Sequence, residues 1–261
     1  MILYKYVKLD RALKFLEKHT LRFTPALELN DPFELTASYY EGDDHDYNSP
    51  QNKDNFYRLS IMYGILSLSR SPLNPLMWAH YATGNKMPNP NGIDLSADNT
   101  SHGGMVIGID VEKAGLNSLS YNILPAKCGS VIYTKTKPQQ PFENSNDFSL
   151  LQGFHSDFKP DQIEALQRLF LYKSLEWSYE EEVRVIKNIN RPPRDPAQKK
   201  ELLYLDPDSV VEFYIGASHG YNPHAVEFFN KKIKEKFTNC KVYRCELVPK
   251  SWSLRSVDVS L

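Results

Sequence analysis

Residues 173 to 184 read Lys-Ser-Leu-Glu-Trp-Ser-Tyr-Glu-Glu-Glu-Val-Arg, a short run that concentrates titratable side chains beside apolar ones. Val183, Val185 and Ile186 predict a strand, and alternation along a strand puts Glu180, Glu182 and Arg184 on one face. The two carboxylates would then stand about 7 Å apart. Such a pair suits a site that stabilises a cation or grips a ribose. The same pattern also fits a solvated strand face with Arg184 as counter-ion. Ser67 and Ser69 share a face of a second predicted strand, Tyr63 to Ser69, while Leu66 and Leu68 face the core. Their hydroxyls could form a ladder that positions a polar ligand, or simply a wet face. His80 and Tyr81 follow on a helix whose Trp78 must be largely buried, a setting in which a histidine is commonly a satisfied structural residue. His102-Gly103-Gly104 could bring backbone amides to a phosphate, or merely bend the chain before a strand.

Other chemistries find less support. The histidines, at positions 19, 45, 80, 102, 155, 219 and 224, are scattered, and no pair has the spacing of a zinc or iron site. Asp43, Asp44, His45 and Asp46 form an acidic cluster without the glycine and glutamate placement of a calcium loop. The expectation is therefore no metal. A phosphate-binding Gly-Lys loop, a dinucleotide fingerprint and a nucleophile elbow are all missing from the sequence.

The elements that must position these residues read as a mixed α+β chain. Its 261 residues could make one large domain or two small ones, and no composition shift divides it, so we expect a single α+β domain over 1–261. Strands are predicted over Ile2 to Val7, Leu21 to Thr24, Tyr63 to Ser69, Met105 to Asp110, Ser130 to Thr134, Val210 to Ile215 and Lys241 to Leu247. Helices are expected after Asp10 as cap, from Ser71-Pro72 through Tyr81, over Asp161 to Leu175 and over Pro223 to Phe237. This order gives a largely antiparallel mixed sheet with flanking helices. Residues 84 to 104, rich in Gly, Asn, Pro, Asp and Ser, read as a loop insertion that could serve as a lid or a target-recognition loop. With 31 basic against 32 acidic residues, the net charge of -1 argues against a protein that coats nucleic acid, though not against a local basic groove. Cys128, Cys240 and Cys245 read as thiols of a reducing cytoplasm. No apolar leader or bilayer-length run is present, so no membrane role and a cytoplasmic location are expected.

Four blocks together resemble a bacterial family known chiefly as a domain of unknown function, numbered 2971. They are Leu3-Tyr4-Lys5-Tyr6; Leu21-Arg22-Phe23 running to Asn30-Asp31-Pro32-Phe33-Glu34; Ser67-Leu68-Ser69 leading to Met77-Trp78-Ala79-His80-Tyr81-Ala82; and Trp177 to Arg184. The order of the blocks also resembles the core of ADP-ribosyltransferases. That resemblance implies an ADP-ribosyltransferase-like fold with NAD gripped by the first strand, at Tyr4, Lys5 and Tyr6. A serine strand, Ser67 and Ser69, would line the nicotinamide pocket beside His80 and Tyr81, with Tyr81 stacking on the ring. A catalytic glutamate, Glu182 or Glu180, would hold the ribose and stabilise its oxocarbenium character. Glu182 is the preferred one of the pair, because Trp177 and Tyr179 share its approximate face. The first strand departs from the transferase pattern, which has Arg or His where Lys5 stands between two tyrosines.

The resemblance implies a transfer of ADP-ribose from NAD to a macromolecule, either protein or nucleic acid, plausible for a toxin or phage-defence effector with an antitoxin partner. Two other classes are open. One is a non-catalytic binding module whose aromatic and acidic blocks form a docking groove. The other is a nuclease-like defence protein holding magnesium with Asp31, Glu34, Glu180 and Glu182.

Overall fold

A computed structural model describes residues 1–33, 35, 57–58, 60–84, 100–138, 150, 157–190, 199 and 201–260. Its strands are β1 (Ile2–Val7), β2 (Thr20–Arg22), β3 (Thr24–Pro25), β4 (Tyr63–Ser69), β5 (Met105–Asp110), β6 (Ile132–Thr134), β7 (Tyr172–Ser174), β8 (Glu182–Asn188), β9 (Leu202–Tyr204), β10 (Val210–Ile215), β11 (Lys241–Leu247) and β12 (Leu254–Asp258). The main helices are α1 (Leu9–Lys18), α2 (Pro75–Tyr81), α3 (Ile163–Phe170) and α4 (Pro223–Lys234).

The principal sheet runs β12-β11-β10-β5-β1-β4-β3, with β8 on the other edge of β4. All of its pairings are antiparallel except β10 with β11, which α4 connects. The sheet is open and mostly antiparallel, as the element order predicts. Alternation along the strands sorts the core onto two faces. Leu3, Ile107, Phe213 and Val242 pack under α1 and α4, through Phe15, Phe229 and Ile233. Tyr6, Val106, Tyr214 and Cys245 pack on the other face against Trp78 of α2. Beyond β4 a third cluster joins Ile65 and Ile186 to Leu166, Leu169 and Phe170 of α3.

The sheet divides at β4. On the β8 side every residue from Tyr63 to Ser69 has a partner, ending with Ser67 opposite Arg184 and Ser69 opposite Glu182. On its other edge β4 meets β1 only at Ser69, through Tyr4, and meets β3 only at Gly64 and Ile65. Among the described residues no strand covers Leu66 to Leu68 on that edge. Into this gap the Lys5 ammonium donates to the Ser67 carbonyl at 2.8 Å.

Several local expectations need correction. Helix α1 starts at Leu9, and Lys8 at its cap makes no side-chain cap bond; Asp10 lies inside the first turn, where its charge suits the helix dipole and neighbours Arg11 and Lys14. Helix α2 is capped by Asn74, whose side chain accepts from the Leu76 and Met77 amides, with Pro75 at its first position. Ser71 instead forms a turn with Ser69. The run Leu21 to Thr24 breaks at Phe23, because Leu21 and Arg22 pair with β9 while Thr24 pairs with β4. Of the expected Ser130 to Thr134 strand only Ile132–Thr134 is regular, Ser130 making an isolated bridge to Val183. The helix expected over Asp161 to Leu175 ends at Phe170, since Tyr172–Ser174 pairs in parallel with β6. Tertiary pairing overrides helical periodicity there. The three cysteines are free, and Cys240 and Cys245 belong to core clusters on opposite faces of the sheet. Of the insertion expected at 84–104, residues 85–99 lie outside the described residues. Its ends meet, with the Gly84 amide donating to Thr100 at 2.9 Å and Gly104 to Ala82 at 2.8 Å. No helix among the described residues is long and apolar enough to cross a membrane.

Candidate functional site

Above the division of the sheet lies a cleft of about 260 Å³. It is lined from β1 by Tyr4, Lys5 and Tyr6, from β4 by Ser67 and Ser69, from α2 by Tyr81, and from the far side by Lys173, Glu180, Glu182 and Arg184. Blocks separated by most of the chain thus converge on one cavity. His80, counted with the binding residues, is exposed on the outer side of α2 and does not line it, its ring 6.1 Å from that of Tyr179.

The acidic run is built differently from a strand. Residues Leu175–Glu180 form a short 3-10 helix, and β8 starts only at Glu182. Between them Glu181 takes a left-handed conformation, φ 46°. That turn, rather than strand alternation, swings Glu180 back beside Glu182. Trp177 and Tyr179 therefore do not share a strand face with Glu182, and the reason for preferring it over Glu180 falls. The solvated-face reading also fails: Glu180 is 4% exposed, Glu182 6% and Arg184 1%.

What holds these charges inside is Lys173, which the sequence reading overlooked. Its ammonium donates to Glu180 at 2.6 Å and to Glu182 at 3.2 Å, and sits 4.8 Å from the centre of the Trp177 ring. Arg184 grips Glu182 with two bonds, Nε to Oε1 at 2.9 Å and Nη2 to Oε2 at 3.1 Å, and donates its other nitrogen to the Phe170 carbonyl at 2.6 Å. The Glu182 amide donates to the Tyr133 hydroxyl at 2.9 Å. A signal existed in the sequence: a buried acidic pair requires cations, and Lys173 opens the same run.

The two carboxylates are thereby made unequal. Burial would push Glu182 up, but the Arg184 and Lys173 charges, with hydrogen bonds from Arg184 and Ser67, hold it at about 2. For Glu180 burial wins: its pKa is raised, helped by the Glu182 charge and opposed by Lys173 and Tyr81. The Tyr81 hydroxyl donates to Glu180 at 2.5 Å and accepts from Asn30 at 3.1 Å. Burial also lowers the pKa of Lys5, against the pull of both glutamates. A carboxylate offers about four acceptor positions. Glu182 meets Lys173, Arg184 twice and Ser67, whereas Glu180 meets Lys173 and Tyr81. Capacity to accept from a ligand is therefore greater at Glu180.

The carboxylates proposed for magnesium are only partly among the described residues. Asp31 lines a neighbouring cleft, Glu34 lies outside the described residues, and the Lys173 ammonium stands between Glu180 and Glu182. Among the described residues no three His, Cys, Asp or Glu side chains are grouped to hold a metal ion. The acidic cluster at 43–46 lies outside the described residues. Gly104 serves close packing, since a Cβ there would lie 2.3 Å from the Val7 carbonyl oxygen, and the Gly103 and Gly104 amides are given to the Thr100 and Ala82 carbonyls rather than turned to a phosphate.

The family model described as "Protein of unknown function (DUF2971)" matches residues 77–185, from α2 through β8. The chain resembles that family over the segment that supplies Tyr81, Lys173, Glu180, Glu182 and Arg184. The blocks at Leu3–Tyr6 and Leu21 to Glu34, and the Ser67-Leu68-Ser69 part of the third, lie outside the matched segment. No curated protein and no solved structure matches the chain.

Proposed function

We propose that the chain is an ADP-ribosyltransferase-like enzyme of the cytoplasm that takes ADP-ribose from NAD and places it on a macromolecule, in the manner of a toxin or defence effector. The observation that carries this reading is the pairing of an unequal carboxylate pair with aromatic walls and fixed cations in one cleft at the division of the sheet. NAD needs all three: a face for its pyridinium ring, cations for its diphosphate, and carboxylates for the ribose. Lys5 stands where the resemblance leads one to expect Arg or His, and it keeps a cation at that place.

In the transfer, the bond from ribose C1 to the nicotinamide nitrogen breaks with its electron pair on nitrogen, a bond forms from C1 to an acceptor oxygen or nitrogen, and the acceptor proton leaves to a base. Glu180, with acceptor capacity and a raised pKa, is suited to meet the ribose hydroxyl and to receive that proton. Glu182 remains ionised and acts through Lys173 and Arg184 as a positioning residue. Tyr81 orients Glu180 and offers its ring to the nicotinamide.

The test is incubation of purified protein with NAD labelled in its adenylate moiety and with cell lysate. Label is expected in one macromolecular fraction, and lost with Glu180→Gln. Absence of label from protein, RNA and DNA alike, with a folded sample, would defeat the reading.

A further inference from the structure

The block Asn30-Asp31-Pro32-Phe33 stands out in the sequence, and its first residue reaches Glu180 through one other side chain. Strand β3 pairs with β4 at Gly64 and Ile65 and then leaves the sheet beside the gap. The chain turns through a short 3-10 segment, Ala26–Glu28, with Ala26 buried and the Leu29 amide donating to the Ala26 carbonyl at 3.1 Å. Asn30 follows and lines the first cleft. Beyond it Asp31 is buried, its Oδ1 accepting from the Phe33 amide at 2.9 Å. The chain is thus anchored before and after Asn30, which is itself exposed and reaches across to Tyr81 of α2.

A phenol hydroxyl has one proton to give, and Tyr81 gives it to Glu180 at 2.5 Å. Elsewhere its oxygen can only accept, and there the Asn30 Nδ2 donates at 3.1 Å. Proton balance therefore sets the Asn30 amide with its nitrogen, not its carbonyl oxygen, toward Tyr81. A donor at that lone pair turns the Tyr81 proton toward Glu180 and polarises the bond it makes there. Besides Tyr81, Glu180 faces Lys173 of β7, Glu182 of β8, Lys5 of β1 and the Tyr133 and Tyr179 hydroxyls. Lys173 is shared with Glu182, whereas the Tyr81 proton goes to Glu180 alone. We propose that Asn30 is a positioning residue: it holds the Tyr81 hydroxyl in the rotation that commits its proton to Glu180, and so orients the carboxylate that meets the ribose. The hold on Glu180 stands on this geometry; its use in the transfer rests on the transferase reading.

The experiment titrates the Glu180 carboxyl by carbon NMR on the glutamate-labelled full chain, its resonance identified by loss in Glu180→Gln. Alongside it runs the pH profile of nicotinamide release from NAD, with lysate as the source of acceptor. The Tyr81 bond lowers the Glu180 pKa, so weakening it should raise the midpoint. Asn30→Asp keeps the shape, but an ionised carboxylate can only accept. It competes for the Tyr81 proton and adds a like charge, and should raise the midpoint by about 1 in pH or more. Asn30→Ala adds no charge and should raise it by less, and not at all in Tyr81→Phe, where no hydroxyl is left to hold. Asn30 is exposed, so these variants should unfold at the wild-type temperature. The acid limb of nicotinamide release should follow the same midpoints, whereas a purely structural role would lower the rate without moving the limb. An unchanged midpoint in Asn30→Asp or Asn30→Ala, or an Asn30→Ala rise that persists in Tyr81→Phe, would overturn the proposal. Shifted midpoints in a folded protein that releases no nicotinamide would keep the hold on Glu180 and defeat the transferase reading instead.

Discussion

Glu180 and Glu182 sit side by side yet should respond to mutation in opposite ways. Glu182 neutralises Arg184, itself 1% exposed, and shares Lys173 with its neighbour. A half-exposed carboxylate would be dispensable to the fold; this one is not. Glu182→Ala leaves buried cations uncompensated and should cost about 3–5 kcal/mol, read by chemical denaturation. Glu180→Gln keeps an acceptor for Tyr81 and Lys173, so its cost should be on the order of 1 kcal/mol while activity falls a hundredfold or more. The pH dependence follows from the two shifts. Glu182, held at about 2 against an ordinary 4.5, contributes stability above 4.5 that is lost as pH falls toward 2. Glu180, raised, contributes the other way, its share lost as pH rises through the raised value. Thermal unfolding between pH 2 and 4.5 should therefore show a rise that Glu182→Gln flattens. Since the Tyr81 hydroxyl lowers the Glu180 pKa, Tyr81→Phe should move the acid limb of the rate profile to higher pH. An unmoved limb would mean that the limb belongs to another group.

The elements that aim these residues depend on backbone choices of particular kinds. Glu181 is a non-glycine residue in the left-handed region, which costs an L-residue roughly 1–2 kcal/mol. Glu181→Gly should be tolerated within about 1 kcal/mol, because glycine adopts that φ without strain. Glu181→Val should destabilise by more and separate the carboxylates, seen as loss of activity. Gly129 approaches β8 so closely that a Cβ would lie 1.8 Å from the Arg184 carbonyl oxygen, across the hydrogen bond from the Arg184 amide to Gly129. Gly129→Ala should cost about 1–3 kcal/mol or more by forcing that pair apart. Strands β1, β4, β5, β10 and β11 were legible in the sequence, β4 through its polar alternation and β5 as a short apolar run, which is what burial on both faces of a sheet writes. Of the cleft's lining, the residues singled out from β1, β4, Tyr81 and the acidic pair were legible too, whereas Lys173, Glu28 and Leu29 were not, and His80 does not line it. The left-handed turn at Glu181 was not legible, since Glu-Glu-Glu before Val-Arg carries no glycine or asparagine to mark it. Nor was β7, whose Tyr-Lys-Ser adjoins an amphipathic helix and becomes a strand only through β6. Lys173 was overlooked for the same reason, having been assigned to that helix.

At the scale of the whole molecule, function is sought where the sheet fails to stay continuous. β1 and β4 share a single pairing, and Lys5 spans the rest of the gap by its bond to the Ser67 carbonyl. If that cation serves a ligand, Lys5→Met should leave the chain folded at a cost of about 1–3 kcal/mol, since the Ser67 carbonyl loses its donor. NAD affinity should drop about tenfold or more, measured by calorimetry, because a charge-assisted bond to phosphate is lost. Equal affinity in the variant would remove Lys5 from the site. The central claim is that the carboxylate pair in this gap breaks the nicotinamide–ribose bond. Its most direct test is the rate of nicotinamide release from NAD, with lysate as the source of acceptor, for wild type and Glu180→Gln matched in unfolding temperature. The account expects release by the wild type and a loss of a hundredfold or more in the variant; release at the same rate by both, or none by a folded wild type, would contradict it.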